Sequence, residues 1–139
     1  LGIIPHFKDF DFVVNKQEFS RSSDVLIIDV RYPIEHIVDQ IVSCKRIVSS
    51  SLHGVIVAHA YGVPAGWVSF GERLIGDGVK FHDHYASLGC FNAECLEDAL
   101  ELPVIELIHF ADSSPLVNVE AVSEQLLSVC PFPVEDLEI

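Results

Sequence analysis

Three consecutive serines followed closely by a histidine, Ser49-Ser50-Ser51-Leu52-His53-Gly54, form the stretch of this chain best suited to chemistry. Arg46-Ile47-Val48-Ser49 reads as a strand, and Leu52 to Tyr61 as a helix that is apolar on nearly every side and therefore buried. The serines then lie at a strand-to-helix turn. There the unpaired N–H groups of the first helical residues, the positive end of the helix dipole and the hydroxyls converge on one spot, making a cradle for an anion. His53 stands at the edge of that cradle, where an imidazole can give or take a proton near neutral pH. The competing reading is that the serines only cap the helix and His53 is structural.

A second turn of this kind is Asp29-Val30-Arg31-Tyr32-Pro33. Arg31 follows a strand end and can grip a carboxylate or phosphate through two N–H groups, or else pair with Glu35 one helical turn along. His6 ends the opening strand and is a further candidate for lining the same cleft. His59, two turns into the apolar helix, reads as a core residue or a support for others. His82-Asp83-His84 resembles a metal-ligand run, but adjacent helical positions face apart and no third ligand is evident, so no metal is expected. There is no Gly-x-Gly-x-x-Gly, Walker loop, Gly-x-Ser-x-Gly elbow or His-Glu-x-x-His, and the common nucleotide, hydrolase and metalloprotease mechanisms lose support.

The elements that must position these residues follow an α/β pattern. Leu1 to His6 predicts a short strand, and Val25-Leu26-Ile27-Ile28-Asp29-Val30 a strand buried on both faces of a parallel sheet. Pro33 opens a helix in which Ile34, Ile37, Val38, Ile41 and Val42 share one face. After the serine turn, Gly62 stops the buried helix, Pro64 prevents its resumption, and Pro64 to Ser69 returns as a strand. Two successive strand-helix-strand crossovers predict a Rossmann-like, three-layer α/β fold around a parallel sheet. Later, Phe81 to Leu88 predicts a short helix closed by Gly89, and Pro103 to Phe110 a strand. Val119, Val122, Leu126 and Val129 mark a final helix, capped by Asn118 and ended by Pro131 and Pro133.

The chain's 139 residues fit one domain, 1–139, with no internal repeat and no room for a second full domain. It opens with Leu1-Gly2-Ile3-Ile4-Pro5 and contains no Met, which reads as a fragment of a longer protein; a signal-peptide pattern is not evident. No apolar run reaches the roughly 20 residues of a membrane span. The four cysteines form no Cys-x-x-Cys pair and read as free thiols in a reducing, cytoplasmic setting. A net charge of -13 argues against nucleic acid and anionic membrane surfaces as partners. All eight Lys and Arg residues lie in the first 80 positions, against nine acids there, whereas the remainder has twelve acids and none. An anionic substrate must find its counter-charges in the first part.

Taken in order, Gly2 to Phe7, Val25 to Val30, Ser43-Cys44, Arg46 to Gly54, Ala58-His59-Ala60-Tyr61-Gly62-Val63-Pro64 through Trp67, and Lys80-Phe81 through Gly89 resemble the polysaccharide pyruvyl transferases. The resemblance covers residues 1 to about 89. It implies the second, C-terminal half of a two-domain, glycosyltransferase-B-like enzyme. Such enzymes move the enolpyruvyl group of phosphoenolpyruvate onto sugar hydroxyls of a cell-surface polysaccharide or its lipid-linked precursor, forming a pyruvate ketal and releasing phosphate. The resemblance thus implies phosphoenolpyruvate and a saccharide as partners, a missing N-terminal domain, peripheral contact with a membrane through a lipid-linked acceptor, and no cofactor.

Family members with Arg before Leu-His-Gly use it to hold the donor; here that position is Ser51, and one cation is gone. On this reading Ser49, Ser50, Ser51, Leu52 and Gly54 hold one anion of the donor, Arg31 the other, His6 lines the cleft, and His53 is the acid or base. Two other functions fit the same architecture: the donor domain of a nucleotide-sugar glycosyltransferase, and a non-catalytic binding fragment.

Overall fold

The structure, a computed structural model, describes residues 1–71 and 78–131. Four short parallel strands form its sheet: β1 (Gly2–Ile4), β2 (Leu26–Ile27), β3 (Ile47–Ser49) and β4 (Ala65–Trp67), in the order β2-β1-β3-β4. Between β1 and β2 lie α1 (Phe10–Asn15) and α2 (Gln17–Ser20); α3 (Ile34–Ser43) joins β2 to β3, and α4 (Leu52–Ala60) joins β3 to β4. Beyond the sheet come α5 (Val79–Ser87), α6 (Val104–Ser113) and α7 (Val119–Ser128).

The period-two alternation of strand side chains divides the core in two. Ile4 and Ile47 point to one face and pack with Ile37 and Ile41 of α3, Val55 and Ala58 of α4 and Tyr85 of α5. Ile3 and Val48 point to the other and pack with Val13 of α1, Phe19 of α2 and Leu107 and Ala111 of α6. Helices therefore cover both faces, and the three-layer parallel arrangement expected from the sequence is present.

Several elements differ from expectation. The Val25–Val30 strand shrinks to Leu26–Ile27 and is only half-buried, because the strand order puts β2 at the edge of the sheet, with β1 its only neighbour among the described residues. Pro103 to Phe110 is not a strand but the start of α6. Pro103, extended at φ -68° and ψ 152°, caps the helix, and Val104, Leu107 and Ala111 recur at helical spacing along its packed side. Helix α4 buries Gly54, Val55, Ala58 and His59 but exposes His53 and Ile56, so it is half-covered rather than enclosed.

The final helix starts where expected, with the Asn118 side chain accepting a hydrogen bond from Ala121 N–H at 3.1 Å; it buries none of its residues, and Leu126 stays 65% exposed. Pro133 lies outside the described residues. No helix among the described residues is long and apolar enough to cross a membrane.

Candidate functional site

In this strand order the chain runs from β1 outward to β2, then crosses back over β1 to β3. The connections from β1 and β3 thus leave in opposite directions, so the carboxyl ends of those two strands are the switch point of the sheet, where open parallel sheets form their ligand crevice. The turns bordering it are Pro5–Asp9 after β1 and Ser50–Ser51 after β3. The sheet therefore brings His6 and the serine run, 43 positions and more apart in sequence, to adjacent strand ends.

The serines divide their work. Ser49 Oγ, fully buried, donates to Ile4 O (2.9 Å) and lies 2.8 Å from Ser51 O, while Ser51 N–H donates to it at 3.0 Å. Ser50 Oγ, 1% exposed, donates to Asp9 Oδ2 (3.1 Å) and accepts from His6 N–H (2.9 Å), stitching the two turns together. Both hydroxyls are thereby committed to the frame of the turn. Ser51, also buried at 6% exposure, is the N-cap of α4, with extended backbone and no side-chain capping bond.

The first bond to the N-cap carbonyl runs from Val55 N–H to Ser51 O at 3.2 Å, so the N–H groups of Leu52, His53 and Gly54 precede the helical ladder and form the amide end of the cradle. Gly54 lets this turn settle onto the sheet: a Cβ there would sit 2.6 Å from Ser49 Oγ and 2.9 Å from Ile4 Cγ2. His53 is exposed at the mouth. His6 is half-buried, its ring tilted against that of Phe7 at 4.3 Å between centroids.

Arg31 does not pair with Glu35. Its Nε and Nη2 donate to the two oxygens of Asp29 at 2.8 and 2.7 Å, and its guanidinium lies 4.6 Å from the centre of the Phe10 ring. The closer carboxylate wins because it follows the same strand end and is also fixed by Arg31 N–H at 3.0 Å. The guanidinium beside it holds the Asp29 carboxyl below its ordinary range.

Two features escaped the sequence reading. Asp9, completely buried at the start of α1, contributes a carboxylate to the floor of the crevice; its only sequence signal is an acid three positions after the strand-end His6. His84 is the partner of His59: their Nε2 and Nδ1 atoms lie 3.0 Å apart and their rings stack at 5.2 Å, joining α4 to α5. Burial, with the neighbouring imidazole second, pushes His59 down to about 4, and burial lowers His84 as well. Among the described residues, no group of three His, Cys, Asp or Glu side chains is arranged to hold a metal ion. All four cysteines are unpaired thiols.

A parallel sheet covered on both faces, with a helix N-terminus open at its switch point, defines a Rossmann-like α/β protein. Residues 3–71 match the family model described as polysaccharide pyruvyl transferase, and through this stretch the chain belongs to that family. The chain is also similar to an uncharacterized protein of Acanthamoeba polyphaga mimivirus, 40% identical over 90 residues that make up 63% of this chain and 31% of that protein. It thus spans about a third of the length of that curated relative. No solved structure matches it.

Proposed function

We propose that this chain is the C-terminal, donor-holding half of a two-domain, glycosyltransferase-B-like pyruvyl transferase that acts in the cytoplasm without a cofactor. Its donor is phosphoenolpyruvate, and its acceptor a pair of hydroxyls on a sugar of a cell-surface polysaccharide or of its lipid-linked precursor, which would bring the full-length enzyme to the membrane surface. The observation that carries this reading is that the family match over residues 3–71 takes in both turns of the switch-point crevice.

The chemistry assigns roles to the residues. One anionic group of the donor sits on the N–H groups of Leu52, His53 and Gly54 with the Ser51 hydroxyl beside them, where the helix dipole favours negative charge. Ser49 and Ser50 give the turn its shape, and His6 lines its far side. Arg31 holds the second anion by exchanging Asp29 for it. In the reaction the donor's methylene carbon gains a proton, one sugar hydroxyl oxygen bonds to the adjacent carbon, the bond from that carbon to the phosphate oxygen breaks, and a second hydroxyl closes the ketal. The two hydroxyl protons end on the new methyl group and on phosphate. His53, exposed at the mouth, is the group that carries protons in these steps.

The test is a titration with phosphoenolpyruvate followed by amide NMR shifts, on the wild type and on His53→Ala and Arg31→Ala. Saturable shifts centred on Ser51 to Gly54, weakened in both variants, are expected. In the full-length protein His53→Ala should lower turnover about a hundredfold or more with the fold retained. A wild type that shows no shifts at millimolar ligand, alone and joined to its other half, would remove phosphoenolpyruvate as the donor.

A further inference from the structure

Beneath the crevice lies a buried carboxyl group that folding does not account for. Asp9 is 0% exposed, its Oδ2 accepts one long hydrogen bond from Ser50, and its Oδ1 meets no hydrogen-bond partner among the described residues. Neither does it cap its own helix through its side chain, although it occupies the N-cap position of α1. A carboxylate buried on those terms destabilises the native state, since it has given up water for a single hydroxyl. Groups tolerated at such a cost are concentrated at functional sites. Asp9 is at one: the Ser50 hydroxyl it holds also takes the His6 N–H, so the carboxylate is the anchor of the link between the two turns of the switch point.

Building on the pyruvyl-transfer reading, we propose that Asp9 is a positioning residue: through Ser50 it fixes the β1 turn against the β3 turn, and it sets a negative charge under the donor. That charge does not help to bind an anion on the α4 amides; it opposes it. Its favourable effect falls later in the reaction, when protonation of the donor's methylene carbon leaves positive charge on the adjacent carbon. The role therefore separates binding from turnover in a way that a packing residue would not.

Asp9→Asn keeps the shape and an oxygen for Ser50 and removes the charge. In the full-length protein three quantities are measured: the melting temperature, the Kd for phosphoenolpyruvate, and the rate of phosphate release from it with methyl hexopyranosides as acceptors. The expected pattern is a melting temperature raised by about 2 °C or more, a Kd unchanged or lower, and a kcat reduced at least tenfold. Ser50→Ala, which cuts the link and leaves the carboxylate, should also reduce kcat while Kd stays within threefold. Wild-type kcat in Asp9→Asn, or a fall in melting temperature together with loss of donor binding, would overturn the assignment and make Asp9 a packing residue. The wild-type titration is the control: if the wild type does not bind phosphoenolpyruvate, the donor reading fails on its own. The melting temperature then decides Asp9 independently, a rise supporting a residue kept for function and a fall overturning it.

Discussion

At the residue scale, the serine run shows how three identical side chains acquire different work from backbone geometry alone. Ser49 is the last residue of its strand, pointing to the face that α4 covers, and it braces β1 and its own turn. Ser50, one position on, faces the β1 turn. Ser51, the N-cap of α4 and only 6% exposed, makes no side-chain capping bond. The close seating of the turn makes position 54 sensitive: Gly54→Ala puts a methyl group 2.6 Å from Ser49 Oγ, and forcing it in should cost about 1–3 kcal/mol by denaturant unfolding. An unchanged midpoint would mean that α4 can lift off the sheet without loss. The triplet and its histidine were legible in the sequence because small hydroxyl residues between an apolar strand and an apolar helix are a local signal. Asp9 and the His59–His84 contact were not, because each depends on a partner 25 or 41 positions away.

At the scale of elements, the first half of the fold could be read because Val25 to Val30, Ile34 to Val42 and Leu52 to Tyr61 carry strand and helix periods with clear stops at Pro33 and Gly62. The reading failed where two periods compete. Val104-Ile105-Glu106-Leu107-Ile108-His109-Phe110 is rich enough in β-branched and aromatic residues to pass for a strand, yet Leu107 and Ala111 lie one turn apart and both are fully buried beneath β3 and β4. Tertiary packing decided between them. Leu107→Ala should therefore destabilise the protein by about 2–5 kcal/mol, as a core truncation does, measured by urea unfolding. A loss under about 1 kcal/mol would place α6 outside the cooperative core. The two short helices α1 and α2 gave no sequence signal, being four to six residues long with one buried side chain each.

At the scale of the whole molecule, the imidazole pair of buried His59 and half-buried His84 couples stability to pH. His59 has its proton affinity lowered to about 4 in the folded state, from an ordinary value of 6.5, so the unfolded chain takes up a proton first as pH falls. The stability held above pH 6.5 is lost progressively on acidification, until the native state also protonates near pH 4; His84, lowered too, acts in the same direction. Thermal unfolding followed between pH 7 and 4 should show this fall, and His59→Leu should flatten it. An equally steep fall in the variant would assign the acid sensitivity to the carboxylates.

The margins of the sheet bear on the molecule's dealings with its own copies. Exposed strand edges invite another chain to add a strand. One margin here, β2, offers a newcomer two residues, and the other is occupied: Leu96 bridges Val68, accepts from Ser69 N–H and donates to Trp67 O at 2.9 and 3.0 Å. Among the described residues, a sheet this short and this closed offers an added strand few backbone groups to pair with.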